Sequence, residues 1–339
     1  MPVADFYRGR QVTVTGADGF IGSHLVEALL AAGAQVRALS YYNSFGTAGW
    51  LDRLTDVNRD QLEIVAGDIR DPLLVETIVN GADTVFHLAA LIGIPYSYVA
   101  PHSYVETNVS GTLHVLEAAR RHGTRRVVHT STSEVYGTAQ FTPISEQHPL
   151  QGQSPYSASK IGADFLAESY FRSFDVPTVI LRPFNTFGPR QSERAVIPTV
   201  IRQALDPACQ EIQIGDTRPV RDFNFVTNIA EAFMYAGAAD GIEFGVPYNA
   251  GSGRSLTVGD MIDLVLEKTG CGKQLASKED RVRPEKSEVF ELLADATRFS
   301  GATHWQPSVA FEEGLEKTID WWRREISEGR TRSRSGYQV

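Results

Sequence analysis

Apolar positions in the first half of the chain alternate between short β-branched runs and longer stretches with helical spacing. Gln11–Thr15 is brief, rich in Val and Thr, and ends at Gly16, as a buried parallel strand does. From Ser23 to Ala32, residues Leu25, Leu29 and Ala32 share one helical face, and Gly33 closes the helix. Further strands are predicted at Gln35–Leu39, Leu62–Ala66, Thr84–Leu88, Arg126–Thr130 and Thr178–Leu181, with helices between them, notably Asn108–His122 and Tyr156–Phe174. This alternation implies right-handed crossovers and a doubly wound parallel sheet of the α/β class.

The texture changes near residue 185. Prolines at 183, 189, 198, 207 and 219 interrupt the pattern, and the strands Glu211–Ile214 and Pro247–Ala250 stand isolated. The expected organisation is a nucleotide-binding domain over 1–184 with later segments interleaved, and a smaller substrate-binding lobe over 185–328. Residues 329–339, with three arginines and almost no apolar content, read as a flexible tail.

Composition narrows the class. The chain has 339 residues and a formal charge of −9, with 42% apolar and 22% charged residues, which excludes a disordered or fibrous protein. Net acidity argues against a nucleic-acid surface, which needs clustered Lys and Arg. Cys209 and Cys271 form no CxxC pair, and the eight histidines form no HxxxH or HxH pair, so neither a disulfide framework nor a metal site is expected. The start lacks the apolar stretch of a signal peptide, and no apolar run reaches membrane-spanning length. The expectation is a cytoplasmic protein with no membrane or nucleic-acid partner.

Chemistry enters at Thr15-Gly-Ala-Asp-Gly-Phe-Ile-Gly22, between the first strand and the first helix. Gly16 permits a tight turn, Gly19 lets backbone approach a pyrophosphate, and Gly22 lets the helix pack on the sheet. The helix N-terminus offers free N–H groups to phosphates. Position at a strand–helix junction favours dinucleotide binding over a plain turn.

The GxxGxxG spacing and the chain length resemble the extended branch of the short-chain dehydrogenase/reductase superfamily, which implies a Rossmann domain. The resemblance assigns the cofactor to Gly16, Gly19, Phe20, Ile21 and Gly22, to Ser40 at the end of the second strand, to Asp68-Ile69 at the adenine, to Leu88-Ala89-Ala90 under the nicotinamide ribose, and to Asn108. The second strand departs from the family: Ser40-Tyr-Tyr-Asn43 stands where an acidic residue would hold the ribose hydroxyls. An arginine suited to a 2′-phosphate is missing there too, so NAD is expected and NADP is not excluded.

Tyr156-Ser-Ala-Ser-Lys160 places a phenol and an ammonium one turn apart on a helix face. A tyrosine with a pKa of about 10 is a poor base at neutral pH. A neighbouring Lys⁺, helped by an oxidised nicotinamide, is expected to lower it, so that the phenolate takes a proton from a sugar hydroxyl. Alone, YxxxK usually means a solvated face; with the glycine turn it is the superfamily's catalytic signature. Both residues also count among the expected cofactor contacts.

The segment His129-Thr-Ser-Thr-Ser-Glu-Val-Tyr-Gly137 ends a predicted strand, on the side where open α/β sheets bind ligands. Thr132 can hydrogen-bond a substrate hydroxyl beside Tyr156. Ser133 and Glu134 follow at once, and a carboxylate there could remove a proton made acidic by a neighbouring ketone. The plainer alternative is a Glu134 that caps a turn or pairs with an arginine.

Extended-family 4,6-dehydratases carry Asp-Glu or Ser-Glu after this threonine, and GDP-mannose dehydratases and UDP-glucuronate decarboxylases show Thr-Ser-Glu, so the motif alone does not separate the reactions. The stretches His87–Tyr98, Pro149–Tyr156, Arg182–Gln191 and Arg194–Thr199 resemble the UDP- or GDP-N-acetylglucosamine 4,6-dehydratases of legionaminic acid pathways, from about residue 8 to 325. That resemblance implies substrate contacts at Asn185, Val196, Ile197, Pro198, Arg221 and Arg283, the two arginines gripping the diphosphate. It implies oxidation at C4, loss of water across C5–C6 with Glu134 as the C5 base, and hydride return to C6. Competing readings are a C4-epimerase, a UDP-glucuronate decarboxylase on the same scaffold and, more remotely, a non-catalytic nucleotide-binding regulator. Trp321-Trp322 is expected to pack on the smaller lobe. Phe165, Tyr170, Phe171 and Phe174 on the Tyr156 helix suggest a homodimer through that helix, with added core contact as the equal alternative.

Overall fold

The computed structural model describes residues 3–55, 57–277 and 289–331. Seven parallel strands form the main sheet: β1 (Gln11–Thr15), β2 (Gln35–Tyr41), β3 (Leu62–Gly67), β4 (Thr84–His87), β5 (Arg126–Thr130), β6 (Thr178–Pro183) and β7 (Pro247–Ala250). Their spatial order is β7-β6-β5-β4-β1-β2-β3. It reverses direction between β1 and β4, and that switch point is where a doubly wound sheet opens a crevice for ligand.

Period-two alternation along the strands supplies both faces. Phe86, Val128, Val179 and Leu181 join one apolar layer with α1 (Phe20–Ala31) and α5 (Val226–Ala238). Val85, Val127 and Ile180 join the opposite layer with α2 (Gly111–His122) and α3 (Pro155–Phe174). A third apolar cluster packs around α4 (Val196–Leu205), α6 (Val258–Thr269) and α7 (Phe311–Ser327). Trp322 is buried in that cluster, and Trp321 meets Trp50 edge-to-face.

Several boundaries differ from the sequence reading, each for a physical reason. Helix α1 begins at Phe20 rather than Ser23, because extended Gly19 serves as its N-cap. Strand β2 runs on to Tyr41, since Ser40 and Tyr41 pair with Ala66 and Gly67 of β3. The helix expected from Asn108 opens with a π-helical turn at Val105–Ser110 before α2. Pro247–Ala250 is not isolated: it pairs with β6 and completes the main sheet. Its partner lies more than sixty residues back in the chain, so no local pattern reveals the pairing. Glu211–Ile214 does stand apart from that sheet, paired with Gln274–Ser277. Arg283 and residues 332–339 lie outside the described residues. Among the described residues no helix is long and apolar enough to cross a membrane, and no cluster of His, Cys, Asp or Glu could hold a metal ion.

Candidate active site

A cavity of about 700 Å³ runs over the switch point. One end is walled by the glycine turn, Leu39, Tyr41 and Asp68, and the other by Thr132, Ser133, Glu134, Tyr156 and Lys160. The glycine turn closes because its residues lack side chains. Gly16 has φ +65°, and a Cβ there would fall 2.7 Å from the Ala89 nitrogen. A Cβ on Gly22 would meet the Gly16 carbonyl oxygen at 2.1 Å. Gly19 brings no capping side chain, which leaves the α1 N-terminus to an anion. Phe20, Ile21, Ile69, Leu88, Ala89 and Ala90 line the same cavity. These residues fit a dinucleotide: bare backbone and a helix terminus for its phosphates, and apolar walls for its rings.

Tyr156 and Lys160 are both buried on α3, which starts with a Ser154–Ser157 capping box and Pro155 in its first turn. Thr132 Oγ1 accepts a hydrogen bond from the Glu134 N–H at 3.2 Å and so caps the turn Ser133–Tyr136. The Thr132 side chain stands beside the Tyr156 phenol at the cavity wall. The sequence reading of the phenol needs correction for the chain by itself. Burial raises the Tyr156 pKa above the ordinary tyrosine value, the Thr132 side chain opposes that rise, and the nearby Glu134 charge adds to it. Lys160 does not dominate: burial pulls its own pKa down to about 8, against the attraction of Asp164.

Beneath these residues lies a polar layer that the sequence reading missed. Asp164 is buried one turn beyond Lys160 and accepts hydrogen bonds from Ser131 Oγ (2.8 Å) and from Arg182 Nε (3.1 Å) and Nη2 (2.9 Å). Burial alone would raise its carboxyl, but Arg182 and His129 hold it below the usual carboxylate range. His129 Nε2 lies 3.3 Å from Asp164 Oδ1 without hydrogen-bond alignment. His87 bridges Thr15 Oγ1 (2.8 Å) and Thr112 Oγ1 (3.1 Å). Thr112 spends its proton on the Asn108 carbonyl at 2.6 Å, so His87 Nε2 carries the hydrogen that it donates to Thr112. Burial keeps His87 neutral, its pKa well below the ordinary histidine value. The i, i+4 spacing from Lys160 to Asp164 was visible in the sequence; the partners of Asp164 were not.

Other expected residues fall in different places. Asn185 lines the cavity, as does Gln191, which the sequence reading left unassigned; Asn185 Oδ1 and Gln191 Oε1 are buried acceptors without a hydrogen bond. Asn108 and Ser40 are buried behind the cavity wall and line no part of it. Asn108 clamps Leu91 through its N–H (2.8 Å) and carbonyl (3.0 Å), while Ser40 Oγ donates to Asp18 at 3.4 Å. Val196, Ile197 and Pro198 open α4 and face the core of the smaller lobe, and the cavity wall stops at Ala195. Arg221 is buried and donates to the Val220 and Phe290 carbonyls, away from the cavity wall.

Comparison with known proteins agrees with this geometry. The family model described as GDP-mannose 4,6 dehydratase matches residues 13–318. A dTDP-glucose 4,6-dehydratase of an Actinoplanes species is 34% identical over 318 residues, covering 92% of this chain and 98% of its own length. An epimerase from the methanogen Methanothermobacter thermautotrophicus superposes with a TM-score of 0.88 at 29% identity, covering 97% of each chain. A dTDP-glucose 4,6-dehydratase from Streptomyces venezuelae, solved with NAD bound, gives 0.81 at 31% identity, covering 94% of this chain and 98% of its own. A glycine turn, a Tyr156–Lys160 pair and a sheet shared with dehydratases and epimerases alike leave one conclusion: the chain belongs to the GDP-mannose 4,6-dehydratase family, within the extended short-chain dehydrogenases/reductases that act on nucleotide sugars.

Proposed function

We propose that the protein is an NAD-dependent nucleotide-sugar 4,6-dehydratase whose substrate is UDP- or GDP-linked N-acetylglucosamine. One observation carries the reading: Glu134 lines the reaction end of the cavity close enough for its charge to act on the Tyr156 phenol. A C4-epimerase has no task for a carboxylate there, because only C4 reacts. The NAD-bound dehydratase among the structural neighbours supports the choice of cofactor. The epimerase neighbour keeps C4 epimerisation as the second reading.

NAD, when bound, would supply the hydride acceptor and donor. The glycine turn and the α1 N-terminus hold its phosphates. Tyr156 Oη takes the proton of the 4-hydroxyl, and Thr132 holds that hydroxyl in line. Lys160, balanced by Asp164, keeps a positive charge near the phenolate. With C4 a ketone, the C5 proton is acidic and Glu134 removes it. Ser133, buried at the same wall, or Glu134 itself with the proton taken from C5, assists departure of the 6-hydroxyl as water. The net change is loss of one water, with C4 oxidised and C6 reduced, to a 4-keto-6-deoxy sugar. Asn185, Val196–Pro198, Arg221 and Arg283 are proposed for the nucleotide diphosphate. Phe165 and Phe174, 55% and 51% exposed on α3, support a homodimer through that helix.

Mass spectrometry of purified protein incubated with UDP- and GDP-N-acetylglucosamine tests the reading. A product lighter by one water supports it. An isomer of unchanged mass makes the protein an epimerase, and turnover of dTDP-glucose alone overturns the substrate assignment.

A further inference from the structure

Strand β2 ends without the acidic side chain that commonly holds an adenosine ribose, yet a carboxylate stands at that spot. It comes from Asp18, inside the glycine turn. Asp18 Oδ2 accepts a hydrogen bond from the backbone N–H of Tyr41, the last residue of β2, at 3.0 Å. The Ser40 hydroxyl donates to the same oxygen. The loop after β2 fixes the residue from the other side: Trp50 N–H donates to the Asp18 carbonyl at 3.1 Å, and Gly49 packs so closely that a Cβ there would lie 2.7 Å from that carbonyl. Asp18 lines the cavity with Leu39, Tyr41, Gly67 and Asp68, and no hydrogen bond among the described residues reaches its Oδ1.

We infer that Asp18 is the residue that selects NAD over NADP, its free carboxylate oxygen accepting the adenosine ribose hydroxyls. The role falls to Asp18 because the turn folds back on β2. A carboxylate at either end of that Asp18–Tyr41 hydrogen bond occupies the same place, and a half-buried carboxylate that pairs with a hydroxyl repels a phosphate.

Among the described residues, the one cation on this stretch of wall, Arg70, does not change the sign. Arg70 binds Asp68 with Nη2 to Oδ2 at 2.6 Å and reaches Glu106 at 3.4 Å. Three carboxylates, Asp18, Asp68 and Glu106, therefore stand against one guanidinium, and a 2′-phosphate dianion meets net negative charge.

The inference rests on NAD being the cofactor, and the experiment separates the two. Cofactor-depleted protein is titrated with NADH and with NADPH, and binding is followed by nucleotide fluorescence. Wild-type protein should favour NADH. Asp18→Asn, which keeps an acceptor for Tyr41 N–H, should lower the ratio of the two dissociation constants about tenfold or more, through weaker NADH and stronger NADPH binding. A wild-type preference for NADPH would defeat both the cofactor reading and the inference. Preference for NADH with an unchanged ratio in Asp18→Asn would defeat the role of Asp18 alone. A variant that fails to fold is bypassed on the wild type: raising salt from about 0.05 to about 0.5 M should narrow the NADH preference by screening the 2′-phosphate repulsion. A ratio insensitive to salt overturns the inference as well.

Discussion

Asn108 Nδ2 donates to Ser159 Oγ at 2.9 Å and thereby ties the cavity-lining loop at Leu91, after β4, to the helix that carries Tyr156 and Lys160. The same side chain satisfies both the N–H and the carbonyl of Leu91, from within a π-helical turn. That wide turn aims one side chain at two elements that regular helix would not align. Asn108 is thus a brace of the site, although the family resemblance made it a cofactor contact.

Asn108→Ala should therefore destabilise the fold by about 1–3 kcal/mol, because it leaves the half-buried Leu91 backbone groups and Ser159 without these hydrogen bonds. Urea unfolding measures it. A loss below about 0.5 kcal/mol, the usual span of a surface change, would mean that the three hydrogen bonds contribute little.

Tyr156→Phe keeps the ring and its packing against Tyr104, at 6.3 Å between centroids, but removes the ionisable oxygen. Turnover should fall by about 10²-fold or more with general-base catalysis lost. Nucleotide-sugar affinity, followed by calorimetry, should stay near the wild-type value. Undiminished turnover would end the role assigned to the phenol.

Glu134→Gln removes basicity while preserving shape. Tyr156 and Lys160 remain, so the variant should still oxidise C4 and accumulate reduced cofactor with substrate bound, yet release almost no dehydrated product. In deuterated water the wild type should place one deuterium at C5, since the abstracted proton exchanges with solvent. Full dehydration by the variant, or a product without deuterium at C5, would return Glu134 to a structural part.

Arg53 and Glu325 form a charge pair whose pH dependence has a definite sign. Arg53, in the loop beside the glycine turn, donates to both carboxylate oxygens of Glu325 on α7, at 2.8 and 2.6 Å. Burial works to raise the Glu325 pKa, but the hydrogen bonds from Arg53 and Arg330 prevail and hold it down to about 2. A carboxyl depressed on folding contributes stability above its unfolded pKa, and loses it as pH falls from about 4.5 toward 2. Because Arg53 is partly exposed, the contribution is only about 1–2 kcal/mol. Glu325→Gln should lower thermal stability at neutral pH and flatten its decline across that acid window; an unchanged acid limb would contradict the assignment.

The sequence by itself determined what local spacing encodes. A strand, a GxxGxxG turn and a helix are contiguous, so the dinucleotide cradle was legible before any fold. Tyr156 and Lys160 share a helix face at i and i+4, and Thr132, Ser133 and Glu134 are consecutive, so their meeting in one cavity needed only that the strand end open beside the helix. Tertiary structure alone decided the rest. Strand ladders are built from backbone groups, so nothing in Pro247–Ala250 names β6 as its neighbour, and nothing in the apolar face of Val226–Ala238 says which core it covers. The charges under the site follow the same rule: Asp164 meets Arg182 and His129 only because three elements converge. Asp18 carries no signal of its own in the sequence. Its carboxylate gained a position at the end of β2 only when the turn closed on Tyr41, because a hydrogen bond across 23 residues depends on the path of the chain and not on the identity of either neighbour.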